Sequence, residues 1–335
     1  MKALVVGGAG YIGSVVTRLL VSEGHDVVVL DDCSTGHADS VPAGVELVEA
    51  DITTAADVLR GQGFEAVLHF AAKSLVGESV VKPSLYWRTN VYGTRVLLDA
   101  ITENAVPRMV FSSTAATYGE PEAIPITEDA PTRPTNTYGA TKLAVDMMIT
   151  GECAATDLAA VSLRYFNVAG AAYGAGERHG VETHLIPIAL DAVAGRRDAL
   201  TIYGDDWPTP DGTPIRDYVH VADLARAHVL ALTAAEPGEH LICNLGNGNG
   251  FSVREVLATI EQVTGLPVPV QIGPRRAGDP TRLVASADRA VARLGWTPER
   301  TLADMVADAW AFSGGTVSGG SGSGDAGRDQ AATGR

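Results

Sequence analysis

Apolar residues follow two rhythms along the first half of the chain. Short unbroken runs alternate with longer stretches in which apolar positions return every three or four residues. The first run is 3–6, just before a cluster of glycines, and 12–22 then carries Ile12, Val15, Val16, Leu19 and Leu20 at helical spacing. Further runs at 26–30, 45–48, 66–69, 109–111 and 160–163 predict strands, and 91–103 and 138–155 predict long helices between them. Near-continuous apolar strands alternating with helices predict an α/β fold with a parallel sheet covered on both faces. The doubly wound, Rossmann-type arrangement is the first candidate. Past about residue 172 the pattern weakens. Gly, Pro, Asp and Trp crowd 204–214, which reads as a loop, and helical spacing returns at 221–232, 253–263 and 303–310. The expected division is a dinucleotide-binding domain over 1–171, joined by segments near 216–246, with a smaller mixed lobe over most of 172–312. Residues 313–335 are Gly- and Ser-rich and predict a disordered tail.

Composition narrows the partners. Of 335 residues 46% are apolar, enough for a large core, and the net charge of -15 argues against nucleic acid or an anionic membrane. Cys33, Cys153 and Cys243 are widely spaced and odd in number. There is no CxxC, and no His pairs with Cys at zinc-ligand spacing, so no metal is expected and a reducing, cytoplasmic setting fits. The apolar run at the N-terminus is too short for a signal-peptide core, and no stretch offers 18 uninterrupted apolar residues.

Gly7, Gly10 and Gly13 form GxxGxxG between the first predicted strand and helix, and Asp31 ends the next strand eighteen residues after Gly13. Missing side chains let the backbone approach a pyrophosphate at a helix N-terminus, and a carboxylate at Asp31 can bind ribose hydroxyls. Asp31 and Asp32 would repel a 2′-phosphate, and no Lys or Arg follows until Arg60, so NAD is expected rather than NADP. Asp51 and Ile52 either border the adenine or merely cap a helix.

Tyr138 and Lys142 stand at i and i+4, so phenol and ammonium share a helix face. A phenolate near neutrality needs its pKa moved from ~10 by roughly three units, about 4 kcal/mol, and a neighbouring cation favours that shift. The bland alternative is an ordinary surface pair. Upstream, Ser112, Ser113 and Thr114 end a strand at the edge where parallel sheets bind ligands. A hydroxyl there can hold a substrate hydroxyl against Tyr138, or Ser113 and Thr117 can simply cap the next segment.

Together these residues resemble the extended short-chain dehydrogenase/reductase family. Longer matches narrow the resemblance to its UDP-glucose 4-epimerase branch: His69–Phe–Ala–Ala, Val76–Gly–Glu–Ser79, Arg164–Tyr–Phe–Asn167, Asp211–Gly–Thr, Arg216 through Asp223, Asn244–Leu–Gly246 and Arg275 through Asp279. They run over nearly all of 1–312. The resemblance implies reversible 4-epimerisation of UDP-glucose and UDP-galactose through a 4-keto sugar, in a homodimer. It implies that Tyr11, Ile12, Asp31, Asp51, Ile52, Phe70, Ala71 and Lys142 surround NAD, with Tyr165 and Phe166 flanking the nicotinamide. Tyr138 would be the acid/base and Thr114 would orient the sugar hydroxyl. Asn167, Arg216, Arg276 and Asp279 would hold UDP, with His184 and Leu185 beside it and Leu283 lining the sugar pocket. This chain departs from some relatives with Lys73–Ser74, with Thr89 where Asn is familiar, and with His184 in place of Asn. A sugar-nucleotide 4,6-dehydratase on the same fold would need an acidic pair after the strand hydroxyls, where this chain has Ala115 and Ala116.

Overall fold

The computed structural model describes residues 1–276 and 279–316. Seven parallel strands form the central sheet: β1 (Lys2–Val6), β2 (Asp26–Asp31), β3 (Glu46–Glu49), β4 (Ala66–His69), β5 (Arg108–Thr114), β6 (Ala159–Tyr165) and β7 (His240–Leu245). Their spatial order is β7-β6-β5-β4-β1-β2-β3, and every neighbouring pair is parallel. The order reverses at β1, so β1 and β4 diverge from a switch point at their carboxyl ends.

The unbroken apolar runs follow from burial on both faces. Ala3, Val5, Val29 and Leu68 pack on one side with helices Tyr11–Ser22 and Val221–Ala231. Their neighbours Leu4, Val6, Val28, Leu30 and Val67 pack on the other with helices Gly93–Glu103 and Thr137–Ala155. Successive strand residues point to opposite faces, so a strand covered twice must be apolar throughout.

A third apolar cluster lies beyond the sheet, built from Ile186, Leu190, Leu200, Ile202, Val256, Ile260, Met305, Val306 and Trp310. Around it, strand Leu200–Tyr203 pairs with Val270–Gly273, and Ile215–Arg216 lies between Phe251–Ser252 and Arg282–Leu283. Helix Val253–Thr264 starts at a reciprocal cap between Ser252 and Glu255 and stops at left-handed Gly265.

The structure corrects several sequence expectations. The helix expected from 91 is preceded by helical turns Val76–Val81, Pro83–Tyr86 and a wide π turn Trp87–Tyr92. Pro83 interrupts the hydrogen bonding that would join them and breaks the apolar period. Helix Leu185–Val193 was not expected, because Pro187 in its first turn reads as a breaker although Pro is tolerated there. The expected tail begins too early: Gly315 N–H donates to Trp310 O (2.9 Å), and Trp310 Nε1 donates to Thr316 O (3.0 Å). The rest of that tail, from 317, lies outside the described residues. No described helix is long and apolar enough to cross a membrane.

Candidate active site

A cleft of about 1310 Å³ runs across the carboxyl ends of the central strands and under the smaller lobe. One wall begins at the glycine loop. Gly7 sits at φ 87°, which a side chain would strain, and a Cβ there would collide with Ala71 N. A Cβ on Gly13 would strike Gly7 O, so that glycine lets helix Tyr11–Ser22 pack directly on the loop. Asp31 fixes the loop from the side: Oδ2 accepts the Ala9 N–H (2.9 Å) and Oδ1 the Cys33 N–H (2.8 Å). Burial pushes its carboxyl upward, and those two N–H groups pull it back. Asp51 is a cap, and its side of the turn also faces the cleft. It caps the turn Ile52–Thr54 through Thr53 N (2.9 Å), and with Ile52 it lines the cleft.

No Lys or Arg lies near Asp31 in sequence, but the fold brings Lys73 Nζ to Ser34 Oγ at 3.2 Å, two residues past Asp32. Thr89 also lines the cleft, but its neighbour Asn90 does the structural work. The π turn swings Asn90 inward, where Oδ1 accepts the Lys73 N–H (2.8 Å) and Nδ2 donates to Lys73 O and Thr141 Oγ1 (3.0 Å each). It thereby fastens the cleft wall to helix Thr137–Ala155.

Asn136 caps that helix through Gly139 N (2.9 Å), and its first two turns present Tyr138 and Lys142 to the cleft. The Tyr138 phenol lies beside Thr114 at the end of β5; burial raises its pKa and the Thr114 side chain lowers it. Thr114 also accepts the Ala116 N–H (3.2 Å), so capping falls to it and not to Ser113. Lys142 is buried, donates to Ser112 O (2.7 Å) and lies 4.7 Å from the Phe111 ring centre. Burial lowers its pKa to about 7, against the pull of Asp146 one turn on. Asp146 pairs in turn with buried Arg164 (2.8 Å). Ser112 Oγ makes a short contact with the Tyr165 hydroxyl. Phe70 packs against His228, with ring centres 4.8 Å apart, while Phe70 and Ala71 donate their N–H groups to Val6 O.

The opposite wall comes mostly from the smaller lobe, with Asn167 reaching it from just beyond β6. Arg216, Arg276, Asp279, Asn167, His184 and Leu283 all line it. The Arg276 guanidinium lies 3.7 Å from the Tyr203 ring centre, and Arg216 Nη1 donates to Ile215 O. Among the described residues neither arginine stands within ion-pair distance of a carboxylate, unlike Arg275 with Asp206 or Arg196 with Asp191. Leu283 pairs in register with Arg216, which sets the two residues side by side on the cleft wall. Leu185 is the exception: it opens helix Leu185–Val193 and packs on the lobe's core instead of lining the cleft. Tyr11 lines the cleft and donates its hydroxyl to Gly170 O (2.5 Å), tying the glycine loop to the far side.

Sequence reasoning gave Asp217 no role. It is a buried carboxylate that accepts the N–H groups of Asn247 (2.7 Å), Gly248 (3.0 Å) and Ala285 (3.0 Å), and it locks the strands bearing Arg216 and Leu283 together. Its position inside the Arg216–Asp223 match was the only hint.

The sequence pattern of the NAD dependent epimerase/dehydratase family matches residues 3–246. The chain belongs to that family. It is 56% identical over 315 residues to a UDP-glucose 4-epimerase of Corynebacterium glutamicum, covering 93% of this chain and 96% of that one. A UDP-glucose 4-epimerase of Streptomyces lividans is 59% identical over 313 residues, covering 92% and 95%. Among solved structures, a UDP-glucose 4-epimerase from Brucella ovis in complex with NAD superposes with a TM-score of 0.91 at 45% identity, covering 95% and 99%. One from Bifidobacterium longum in complex with NAD+ and UDP gives 0.88 at 36% identity, covering 94% and 98%.

Proposed function

We propose that this member of the family interconverts UDP-glucose and UDP-galactose by inverting C4, with NAD as a resident prosthetic group. The observation that carries the reading is one cleft holding a glycine loop with no room for side chains, Thr114 and Tyr138 side by side with Lys142 on the next turn, and two arginines that, among the described residues, lie outside ion-pair distance of a carboxylate. The loop's close backbone suits a pyrophosphate, and Asp31, Asp51, Ile52, Phe70, Ala71, Tyr165 and Phe166 line the same side. Bound there, NAD supplies the hydride acceptor at C4 and then the hydride donor.

Thr114 aligns the C4 hydroxyl, and Tyr138 takes its proton as the C–H bond breaks. Lys142 favours the phenolate form of Tyr138. Arg216 and Arg276 keep the diphosphate while the 4-keto sugar turns over, and their forked donors suit two oxyanions. Tyr138 then returns the proton to the oxygen as hydride arrives on the other face. Holding UDP puts remote binding energy into retaining the intermediate. Ala115 and Ala116 line the cleft where a dehydratase needs acids, so water is not eliminated.

The test is turnover of UDP-galactose by purified protein with no added dinucleotide, followed by denaturation and assay of the supernatant. UDP-glucose as product and NAD in the supernatant are expected. A 4-keto-6-deoxy sugar as product, NADP in the supernatant, or a requirement for stoichiometric NADH would refute the proposal. The same assay with UDP-N-acetylglucosamine measures breadth. Leu283 should allow weak turnover, and Leu283→Tyr should lower it by the roughly 1–3 kcal/mol typical of pocket-size changes. An unchanged ratio between the two sugar pairs removes Leu283 from the sugar pocket.

The same proposal makes the enzyme a homodimer. Val80, Val81, Trp87, Tyr92 and Met147 are large apolar side chains exposed on helical segments 76–92 and 137–155, and Val81 is 75% exposed. Light scattering should give about twice the 34.8 kDa chain mass, and a monomer at micromolar concentration would refute it. We place the enzyme in the cytoplasm, in keeping with three unpaired cysteines; recovery from membrane or extracellular fractions would contradict this. In this enzyme residues 1–171, with returning segments near 216–246, bind NAD, and most of 172–312 forms the UDP-sugar lobe.

A further inference from the structure

Away from Tyr138, the loop 177–184 brings two imidazoles and two carboxylates to one point. Nδ1 of His184 lies 2.6 Å from Glu177 Oε1 and 2.9 Å from Glu182 Oε1. Nδ1 of His179 lies 2.9 Å from Glu177 Oε1 and 3.7 Å from Glu182 Oε2. One ligand atom from each of the four residues lies within 4.8 Å of the other three. The sequence reading expected no metal because it asked only for Cys–His spacing. The pattern Glu–x–His followed by Glu–x–His escaped that question.

The two glutamate side chains are only 9% and 13% exposed, so their charge must be neutralised locally. Arg178 does not serve, because it turns outward to Asp39 (2.9 Å). Protonated imidazoles could supply the charge, and so could a metal ion. An imidazolium at His184 fits its hydrogen bond to Glu182 Oε1 (2.9 Å), whereas the His179 contact fits a shared ion better. His179 Nδ1 is buried and makes no hydrogen bond, although a carboxylate oxygen is 2.9 Å away. The approach is therefore off the N–H direction, as when ligand atoms face a common centre instead of one another. Glu182 is held in place from behind, where Oε1 accepts the N–H groups of Thr183 (2.6 Å) and His184 (2.7 Å).

We propose that Glu177, His179, Glu182 and His184 form a divalent-cation site that takes Zn²⁺. Two imidazole nitrogens and two carboxylate oxygens are a donor set zinc accepts. Zinc bonds of about 2.0–2.2 Å put neighbouring ligands roughly 3.3–3.6 Å apart, so modest side-chain rotations complete the site. Glu177, His179 and Glu182 also line a second cavity of about 490 Å³, so the cluster forms the wall between that cavity and the main cleft. The same wall is strapped to the adenosine side by His37 Nε2 and Arg178 O at 2.8 Å. A bound ion would stiffen the strap. The proposal does not depend on the epimerase reading.

The experiment uses the full chain without affinity-tag histidines, stripped with a chelator and titrated with ZnCl₂ against a competing chelator. One Zn²⁺ per chain and a raised thermal midpoint are expected. His179→Gln and Glu182→Gln, each checked for native circular dichroism, should bind at least about tenfold more weakly. Cys33→Ser should bind as wild type. Absence of stoichiometric binding overturns the site, and so does wild-type affinity in both variants, which would locate the ion elsewhere. Should either glutamine variant misfold, Co²⁺ loaded into wild type decides: a tetrahedral absorption spectrum supports the site, and an octahedral one overturns it.

Discussion

Lys142 is a cation in a place that disfavours charge. Burial brings it to about 7, Asp146 pulls it back up, and its charge helps burial hold His69 down at about 3. Tyr138 is pushed the opposite way, upward, by the same burial. Each therefore resists ionising alone, and a charged Lys142 makes the phenolate of Tyr138 easier to form. Removing that charge raises the phenol's pKa, so Lys142→Met should move the acid limb of the kcat profile to higher pH. Tyr138→Phe should lower kcat by about 10²–10⁴-fold with little change in thermal midpoint, since general acid–base groups contribute on that scale. Steady-state pH profiles check both, and an unmoved acid limb in Lys142→Met would separate the lysine from the phenol. Stability carries a matching sign. The unfolded chain binds the lysine proton up to 10.5 and the folded chain only to about 7, so this group's contribution rises with pH across that window. The Tyr138–Lys142 spacing was legible in the sequence because both lie on one helical face. Asp217 was not, because its partners stand 30 to 68 residues away and only the fold supplies them.

At the scale of elements, what the sequence revealed was whatever carried its own local signal. Helices Val253–Thr264 and Val221–Ala231 match the predicted 253–263 and 221–232 because their apolar period is strong. Segment Trp87–Tyr92 is not predicted, since a wide helical turn has no period of its own and exists here to aim Asn90. The glycine loop stands between these cases: its spacing was legible, but the contact that demands Gly13 was visible only in three dimensions. Gly13→Ala should push helix Tyr11–Ser22 off the loop and cost about 1–3 kcal/mol, the usual penalty of overpacking. Purified variant should also carry less NAD. A variant with the wild-type melting temperature and full NAD content would show that the loop yields.

Across the whole molecule, the two ends of the described chain are anchored differently. The first residues enter the central sheet, whereas 313–316 close over Trp310, which belongs to the smaller lobe's core. Cutting after Phe312 removes the acceptor for the buried Trp310 N–H, and such a loss costs about 1–3 kcal/mol. Cutting after Thr316 keeps it. The shorter chain should therefore melt at a lower temperature while the longer one melts and turns over like wild type; thermal scans and the epimerase assay of both truncations decide. Loss of activity on cutting after Thr316 would give the remaining residues a task.

Strand β7 comes from residues 240–245, yet it covers the outer edge of β6, all seven residues of which are buried. During synthesis the chain must add 166–239 before that cover exists, roughly 4–15 s at 5–20 residues per second. Through that interval the growing polypeptide presents an apolar strand with open backbone groups, a template for pairing with the wrong neighbour. Any cellular factor that shields nascent strands must act on this chain within those seconds. A premature stop in 166–239 would leave a raw-edged sheet destined for aggregation, not a smaller working enzyme.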